Sequence, residues 1–529
     1  MKRLGMRTAV AGLLSLFFSH ASYALPATQP VKVTGGAIVG SQDGGLNEYF
    51  GIPFAAPPLG DLRWRPPQPV VAWEGQRPTR DFAPACAQTA TWVPNPKSED
   101  CLYLNVWAPA KAEKLPVIVW IHGGAMDSGA AAMPVQNGAN LARRGAIVVT
   151  LSYRLGIFGF YASPELSAES PEHVSGNQGI LDQIAALRWV RTNIAAFGGD
   201  PDRVTIMGES SGGESVAVLV ASPLAKGLFQ RAIAASGNDA MPINPEDDHR
   251  FDRKSAAEAK GLAFAKAVGA ERLADLRKLS VEDLQKQAWL PRVYVDGRLL
   301  RSDLTTTYRD GGQNDVPLLV GWTAEEGKDL IGFYLDPSAS TAAGRRDQMA
   351  KLLGYAPSDR LLAAYPGPTD AEAAAAINQL TNDWWGWRME HWAALQAKYG
   401  RSKSYVYYFA HRPAEPPTPC SWGCGAGHGV DVQYMFDNLA VDPRSWAAED
   451  RRLADRLADT VVQFARTGGP TGDGLPAWPA FDGSKASILP IGNDAELQAH
   501  PLPDFSVFPQ LPETTPQTRS APGAARKRK

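Results

Sequence analysis

An apolar, β-branched run, Val204–Met207, breaks abruptly into Gly208-Glu209-Ser210-Ser211-Gly212 and then into a helix-like segment, Glu214–Val220. Strand, tight turn, helix is a demanding succession. A serine at the tip of such a turn is forced into a strained backbone, and flanking glycines let neighbouring chain pass close by. In a chain with 50 glycines, G-x-S-x-G also arises as an ordinary loop. Two things separate these readings: an α/β frame around the turn, and partners for the serine.

The frame is legible along the chain. Val31–Gly40 reads as a hairpin around Gly35-Gly36, and Gly51–Pro67 is too proline-rich for regular structure, with Phe54 and Trp64 to pack it down. Leu102–Trp107, Val117–Ile121, Ile147–Tyr153, Arg231–Ala235, Pro317–Gly321 and Ser404–Phe409 are strand-like. Between them lie helical patterns at Ala139–Arg144 and at Asn177–Ala196, where Ile180, Leu181, Ile184, Leu187, Val190 and Ile194 recur at helical spacing before Gly198-Gly199. Asp247–Gln287, Ser338–Ala397 and Leu453–Thr467 are also helical; the second carries Trp384, Trp385, Trp387 and Trp392, read most simply as core, with a ligand-pocket lining as the alternative. Strands alternating with helices predict an α/β fold with a mostly parallel sheet covered on both faces. The sequence divides into a leader (1–24), one catalytic domain (25–510) with helical insertions near 247–315 and 338–400, and an unstructured tail (511–529) ending in Arg526-Lys527-Arg528-Lys529.

The leader carries an address. Lys2, Arg3 and Arg7 precede the apolar run Ala9–Phe18, and Ser22-Tyr23-Ala24 supplies a small-residue site, so the pattern predicts a signal peptide cut after Ala24 and a secreted or periplasmic protein. The run is far too short to span a bilayer, and no later stretch reaches about 18 uninterrupted apolar residues, so no stable membrane insertion is expected. With 53 Lys and Arg against 55 Asp and Glu, the net charge of −2 gives no electrostatic case for nucleic acid, and no protein partner is inferable. Export makes disulfides the expected state of the four cysteines, Cys86, Cys101, Cys420 and Cys424. Four cysteines allow three pairings, of which the two local ones are simplest.

A serine nucleophile needs a base to take its proton and an acid to orient that base. On a sheet with this kind of elbow the three follow in the order serine, acid, histidine. Of eight histidines, His20 leaves with the leader, and His122, His173 and His249 lie on the wrong side of that order. His391 sits among the tryptophans, His411 ends a strand beside Pro413, and His500 is near the tail. His428, in Gly425-Ala426-Gly427-His428-Gly429 beyond a strand, is the expected base; a structural loop histidine is the competing reading. The acid is expected in Gly321–Gly327, where spacing does not separate Glu325 from Glu326. His122-Gly123-Gly124-Ala125, directly after Val117–Ile121, is placed to offer the N–H groups of Gly123 and Gly124 to a substrate oxygen, with the N–H of Ser211 completing the set.

At this point the chain resembles the type-B carboxylesterases, which include cholinesterases and para-nitrobenzyl esterases. The resemblance rests on GIPFAAPPLGDLRWRPP (51–67), SEDCLYLNV (98–106), YRLGIFGF (153–160), the 176–213 block containing FGGDPDRVTIMGESSGG, and GAGHGVDVQYMF (425–436). It implies an α/β-hydrolase fold and ester hydrolysis through an acyl-enzyme, on a small-molecule ester and without metal or organic cofactor. It also implies that the acid is Glu326 with Glu325 beside it, that Cys86 and Cys101 are joined, and that Ser236 supports the acid. Three features depart from the family: Ser211 where alanine is usual, which adds a hydroxyl donor at the acyl end; Met126 where an aromatic residue is frequent, on the alcohol side; and Cys420–Cys424, read as a staple on the histidine loop. An amidase or peptidase with the same triad, or a non-catalytic binding protein on the same fold, are the rival readings.

Overall fold

The computed structural model describes residues 25–238, 254–336, 340–417, 424–472 and 477–511. The leader, the basic tail and Cys420 lie outside the described residues, as does His249. The frame is a ten-stranded mixed sheet. In chain order its strands are β1 (Ser41–Asp43), β2 (Leu46–Pro53), β3 (Tyr103–Pro109), β4 (Leu115–Ile121), β5 (Ile147–Leu151), β6 (Gly199–Glu209), β7 (Arg231–Ala235), β8 (Leu318–Thr323), β9 (Ser404–Phe409) and β10 (Ile488–Ile491). Across the sheet they run β10-β9-β8-β7-β6-β4-β5-β3-β2-β1. Every pairing from β5 to β10 is parallel, and β1, β2 and β3 form an antiparallel edge.

The sequence of β4 explains the layering. Its Val117, Ile118, Val119, Trp120 and Ile121 are all buried, as a strand covered on both faces requires. Because side chains alternate, Val117, Val119 and Ile121 join one core and Ile118 and Trp120 another. The first core is closed by α1 (Gln178–Asn193), through Ile180, Ile184 and Leu187, and by α2 (Ser211–Ala221). The same face takes the tryptophan-bearing α4 (Asp370–Tyr399), which follows α3 (Glu326–Tyr334). The second core is closed by α5 (Val430–Met435) and α6 (Ala448–Thr467), through Tyr434, Val461 and Phe464.

Sequence and structure differ chiefly at the sheet edges. The Val31–Val33 and Gly36–Val39 hairpin forms, but in a separate small sheet with Gln76–Pro78. Strands β1, β2 and β10 carry no signal in the sequence reading. β2 mixes polar and apolar residues around an irregularity between Tyr49 and Ile52, and β10 contains Pro490, tolerated because it lies at the edge. Cys86 and Cys101 are bonded, with Cα atoms 5.0 Å apart.

The order of strands fixes where a site can form. From β4 the chain crosses to β5 on one side; β6 then pairs on the other side of β4 and leads away to β7. Two strands whose connections diverge leave a crevice beyond their carboxyl ends. In register, Gly208 of β6 lies opposite Ile121 of β4, so the chain leaves both strands side by side as His122-Gly123 and Glu209-Ser210.

Candidate active site

Ser210 adopts φ 54°, ψ −128°, a conformation that costs a non-glycine residue about 1–3 kcal/mol and persists only where its surroundings enforce it. They do so here: the Ser210 N–H donates to Ala235 O at the end of β7, and its carbonyl accepts the Glu214 N–H, each at 3.0 Å. The glycines of the motif are sterically obligatory. A Cβ on Gly212 would stand 2.1 Å from Ile121 O, and one on Gly208 would stand 2.4 Å from the Gly212 carbonyl. The elbow is thus wedged against β4, and α2 begins at Ser211, directing its first N–H groups toward the serine.

The loop after β4 lies against this elbow. A Cβ on Gly123 would come within 3.0 Å of Ser210 Cβ. Gly124, Ala125 and Met126 then follow with φ of 103°, 57° and 58°. The His122 imidazole is not part of the serine's surroundings by charge: burial holds its pKa down, to about 4, and it stacks on Tyr153 with ring centroids 4.6 Å apart.

Glu325 and Glu326, inseparable by spacing, part company in space. Glu326 opens α3 and is fully buried. Its Oε1 accepts the Ser236 hydroxyl at 2.5 Å and the Thr323 N–H at 2.8 Å, while Oε2 lies 2.5 Å from His428 Nδ1. Glu325 instead accepts the Ala426 N–H at 2.9 Å and pairs with Arg412 at 2.7 Å. Its own N–H donates to Ala426 O, so the acid loop and the histidine loop are zipped together. Asp329, one turn along α3 from Glu326, accepts the His428 N–H at 2.8 Å.

The other face of the imidazole turns to the elbow. His428 Nε2 lies 3.1 Å from Glu209 Oε1, the residue immediately before Ser210. Burial alone would depress the His428 pKa, but the charges of Glu326 and Glu209 outweigh it and raise it to about 9. Glu209 is raised to about 7 by burial, against the pull of His428. Asp431, which accepts the Tyr407 hydroxyl at 2.6 Å, is raised by burial to about 6.

Sequence reasoning missed Glu209, Asp329, Asp431 and Arg412. Glu209 occupies a variable position of G-x-S-x-G, where nothing in the pattern distinguishes a functional side chain. Asp329 had a signal: it is one helical turn beyond Glu326. Two of the other described histidines have partners away from the elbow. His411 bridges Asp450 at 2.7 Å and Glu496 at 3.3 Å, and His391 packs on Trp387. All four tryptophans of α4 are buried, and Trp385 also packs on His428, with centroids 5.6 Å apart. Met126 is likewise buried. The Ser211 oxygen accepts the Met126 N–H at 3.0 Å, on the side of the glycine loop.

The model of the carboxylesterase family matches residues 27–504. A fumonisin B1 esterase of Sphingopyxis macrogoltabida is 36% identical over 486 residues, spanning 88% of this chain and 86% of that protein. A para-nitrobenzyl esterase of Bacillus subtilis (strain 168) is 34% identical over 502 residues, spanning 89% and 96%. A solved PNB esterase structure superposes with a TM-score of 0.72 at 33% identity, covering 86% of this chain and 93% of that one.

Proposed function

Because this chain belongs to the carboxylesterase family, an α/β-hydrolase family, we propose that it hydrolyses small carboxylic esters through an acyl-enzyme on Ser210, with His428 as base and Glu326 as its orienting acid. The observation that carries this reading is the 2.5 Å contact between His428 Nδ1 and the fully buried Glu326, with Nε2 turned toward the Ser210 elbow. In the neutral imidazole a carboxylate on Nδ1 keeps the proton there, leaving Nε2 as the atom that a serine hydroxyl must meet.

In this mechanism Ser210 Oγ attacks the ester carbonyl and passes its proton to His428 Nε2. The resulting imidazolium is stabilised by Glu326, while the developing oxyanion receives the N–H groups of Gly123, Gly124 and Ser211. His428 then protonates the departing alcohol. Water then attacks the acyl carbonyl as it gives its proton to the same nitrogen, and collapse of the intermediate releases the acid while His428 returns that proton to Ser210 Oγ. The protein's own groups supply each proton transfer.

The N-terminal pattern supports export with removal of residues 1–24; the remaining domain, with its inserted helices, would act in the periplasm or outside the cell. Among the described residues no helix is long and apolar enough to cross a membrane. Mass spectrometry of the exported protein should find Leu25 at its N-terminus.

The decisive assay compares p-nitrophenyl acetate and butyrate with the matching anilides. Ester turnover that disappears in Ser210→Ala, with anilides inert, is the expected result. Preferential anilide cleavage would make the enzyme an amidase, and equal inertness of wild type and Ser210→Ala would end the catalytic reading.

A further inference from the structure

We propose that the Ser211 hydroxyl and the Tyr153 phenol are positioning groups that hold the two ends of the oxyanion loop, Ser211 tying the Met126 end to the elbow; this rests on the esterase reading above. The loop has an unusual backbone. After Gly124, two consecutive residues with side chains, Ala125 and Met126, stand in the left-handed region at φ 57° and 58°. L-residues enter that region only when neighbouring contacts impose it. The contacts around Met126 are specific. Its N–H donates to Ser211 Oγ at 3.0 Å in a buried setting, and its carbonyl accepts the Gly156 N–H at 2.8 Å.

The other end of the loop is held by Tyr153. The Tyr153 phenol donates to His122 O at 3.0 Å while its ring stacks on the His122 imidazole. Tyr153 is fully buried and Ser211 nearly so, so neither bond is shared with solvent. The Ser211 oxygen, one residue from the nucleophile, therefore fixes Met126, and the Tyr153 phenol fixes His122. Between those two points lie only Gly123, Gly124 and Ala125, and the N–H groups of the two glycines are the proposed oxyanion donors. Donors of this kind act through preorganisation: they must already point at the oxyanion's position before charge develops there. An alanine at 211 would keep its own backbone donor but would leave the buried Met126 N–H without its acceptor. The latch is thus separable from the donor that residue 211 itself contributes.

The test uses the whole enzyme with Ser211→Ala, Tyr153→Phe and the double variant. Steady-state kinetics on p-nitrophenyl butyrate are compared with inhibition by an aryl trifluoromethyl ketone, whose hemiketal with Ser210 places an oxyanion in the hole. In Ser211→Ala, kcat and ketone affinity should fall together by about 10-fold, below the roughly 10²–10³-fold of losing a donor outright, with KM unchanged. The double variant should be no worse than the poorer single one, because both act on one loop. Should Ser211→Ala fail to fold, Tyr153→Phe must lose kcat and ketone affinity in parallel. Retention of both within twofold in the folded variants would overturn the latch while Ser210-dependent turnover of the wild type kept the esterase reading intact. Wild type no faster than Ser210→Ala would remove both.

Discussion

The Ser236 hydroxyl donates to Glu326 Oε1 at 2.5 Å, leaving Oε2 as the oxygen that meets His428. Ser236 itself has φ 45°, held by its N–H bond to Gly321 O, so a second strained serine, at the tip of β7, supports Glu326. Ser236→Ala should leave Glu326 with the Thr323 N–H as its remaining bond on Oε1. A hydrogen bond to a charged group contributes about 1.5–3 kcal/mol, so kcat/KM on p-nitrophenyl acetate should fall by roughly one order of magnitude, chiefly in kcat.

The two neighbouring glutamates should separate cleanly by kinetics. Glu326→Gln removes the charge that stabilises the imidazolium and permits the wrong tautomer; loss of about 10⁴-fold in kcat is the scale for such a change. Glu325→Gln weakens the partly exposed Arg412 pair and should cost about 1 kcal/mol or less of stability, with kcat within tenfold of wild type. The reverse ranking would reassign the acid to Glu325.

The pH profile should report the carboxylates around His428. A general base works when neutral, and its pKa is raised to about 9, so kcat/KM of the free enzyme should climb with pH through the weakly alkaline range. Glu209→Gln removes one of the charges favouring the imidazolium, which lowers the His428 pKa and moves the acidic limb to lower pH. A profile of unchanged midpoint in Glu209→Gln would show that Glu209 does not act on the base.

Arg154 and Asp182 form a buried pair at 2.7 Å beneath the segment that runs from β5 into α1. Arg154 also donates to Arg65 O at 2.8 Å, tying down the proline-rich stretch. Asp182→Ala would strand a buried guanidinium and should destabilise the fold by about 3–5 kcal/mol, read as a lower midpoint in urea unfolding.

The elbow was readable in the sequence because steric demand writes itself into residue type: Gly208 and Gly212 have no alternative where the backbone passes within a methyl's reach. The expectation for His428 rests on order along the chain, and the interior strands are legible as unbroken apolar runs such as Val117–Ile121. What escaped notice depends on contacts between segments distant in sequence. Glu209 looks like any polar residue until His428, over two hundred positions away, is placed against it. Arg412 and Ala426 mean little until Glu325 joins them. The choice between Glu325 and Glu326 came from the family resemblance, since both stand in the same loop; only their opposite orientations separate them physically. Edge strands such as Ile488–Ile491 are set by the strand beside them more than by their own residues.

The reciprocal bonds between Glu325 and Ala426 carry a consequence for how the enzyme would lose activity. The loops bearing Glu326 and His428 are tied to each other as well as to their own strands, so a fluctuation that frees one releases the other. Base and acid should then come apart in a single local opening, before the sheet itself melts. On gentle heating, inactivation and amide exchange at Ala426 and His428 would rise together as one event, and cooling would restore both at the same rate.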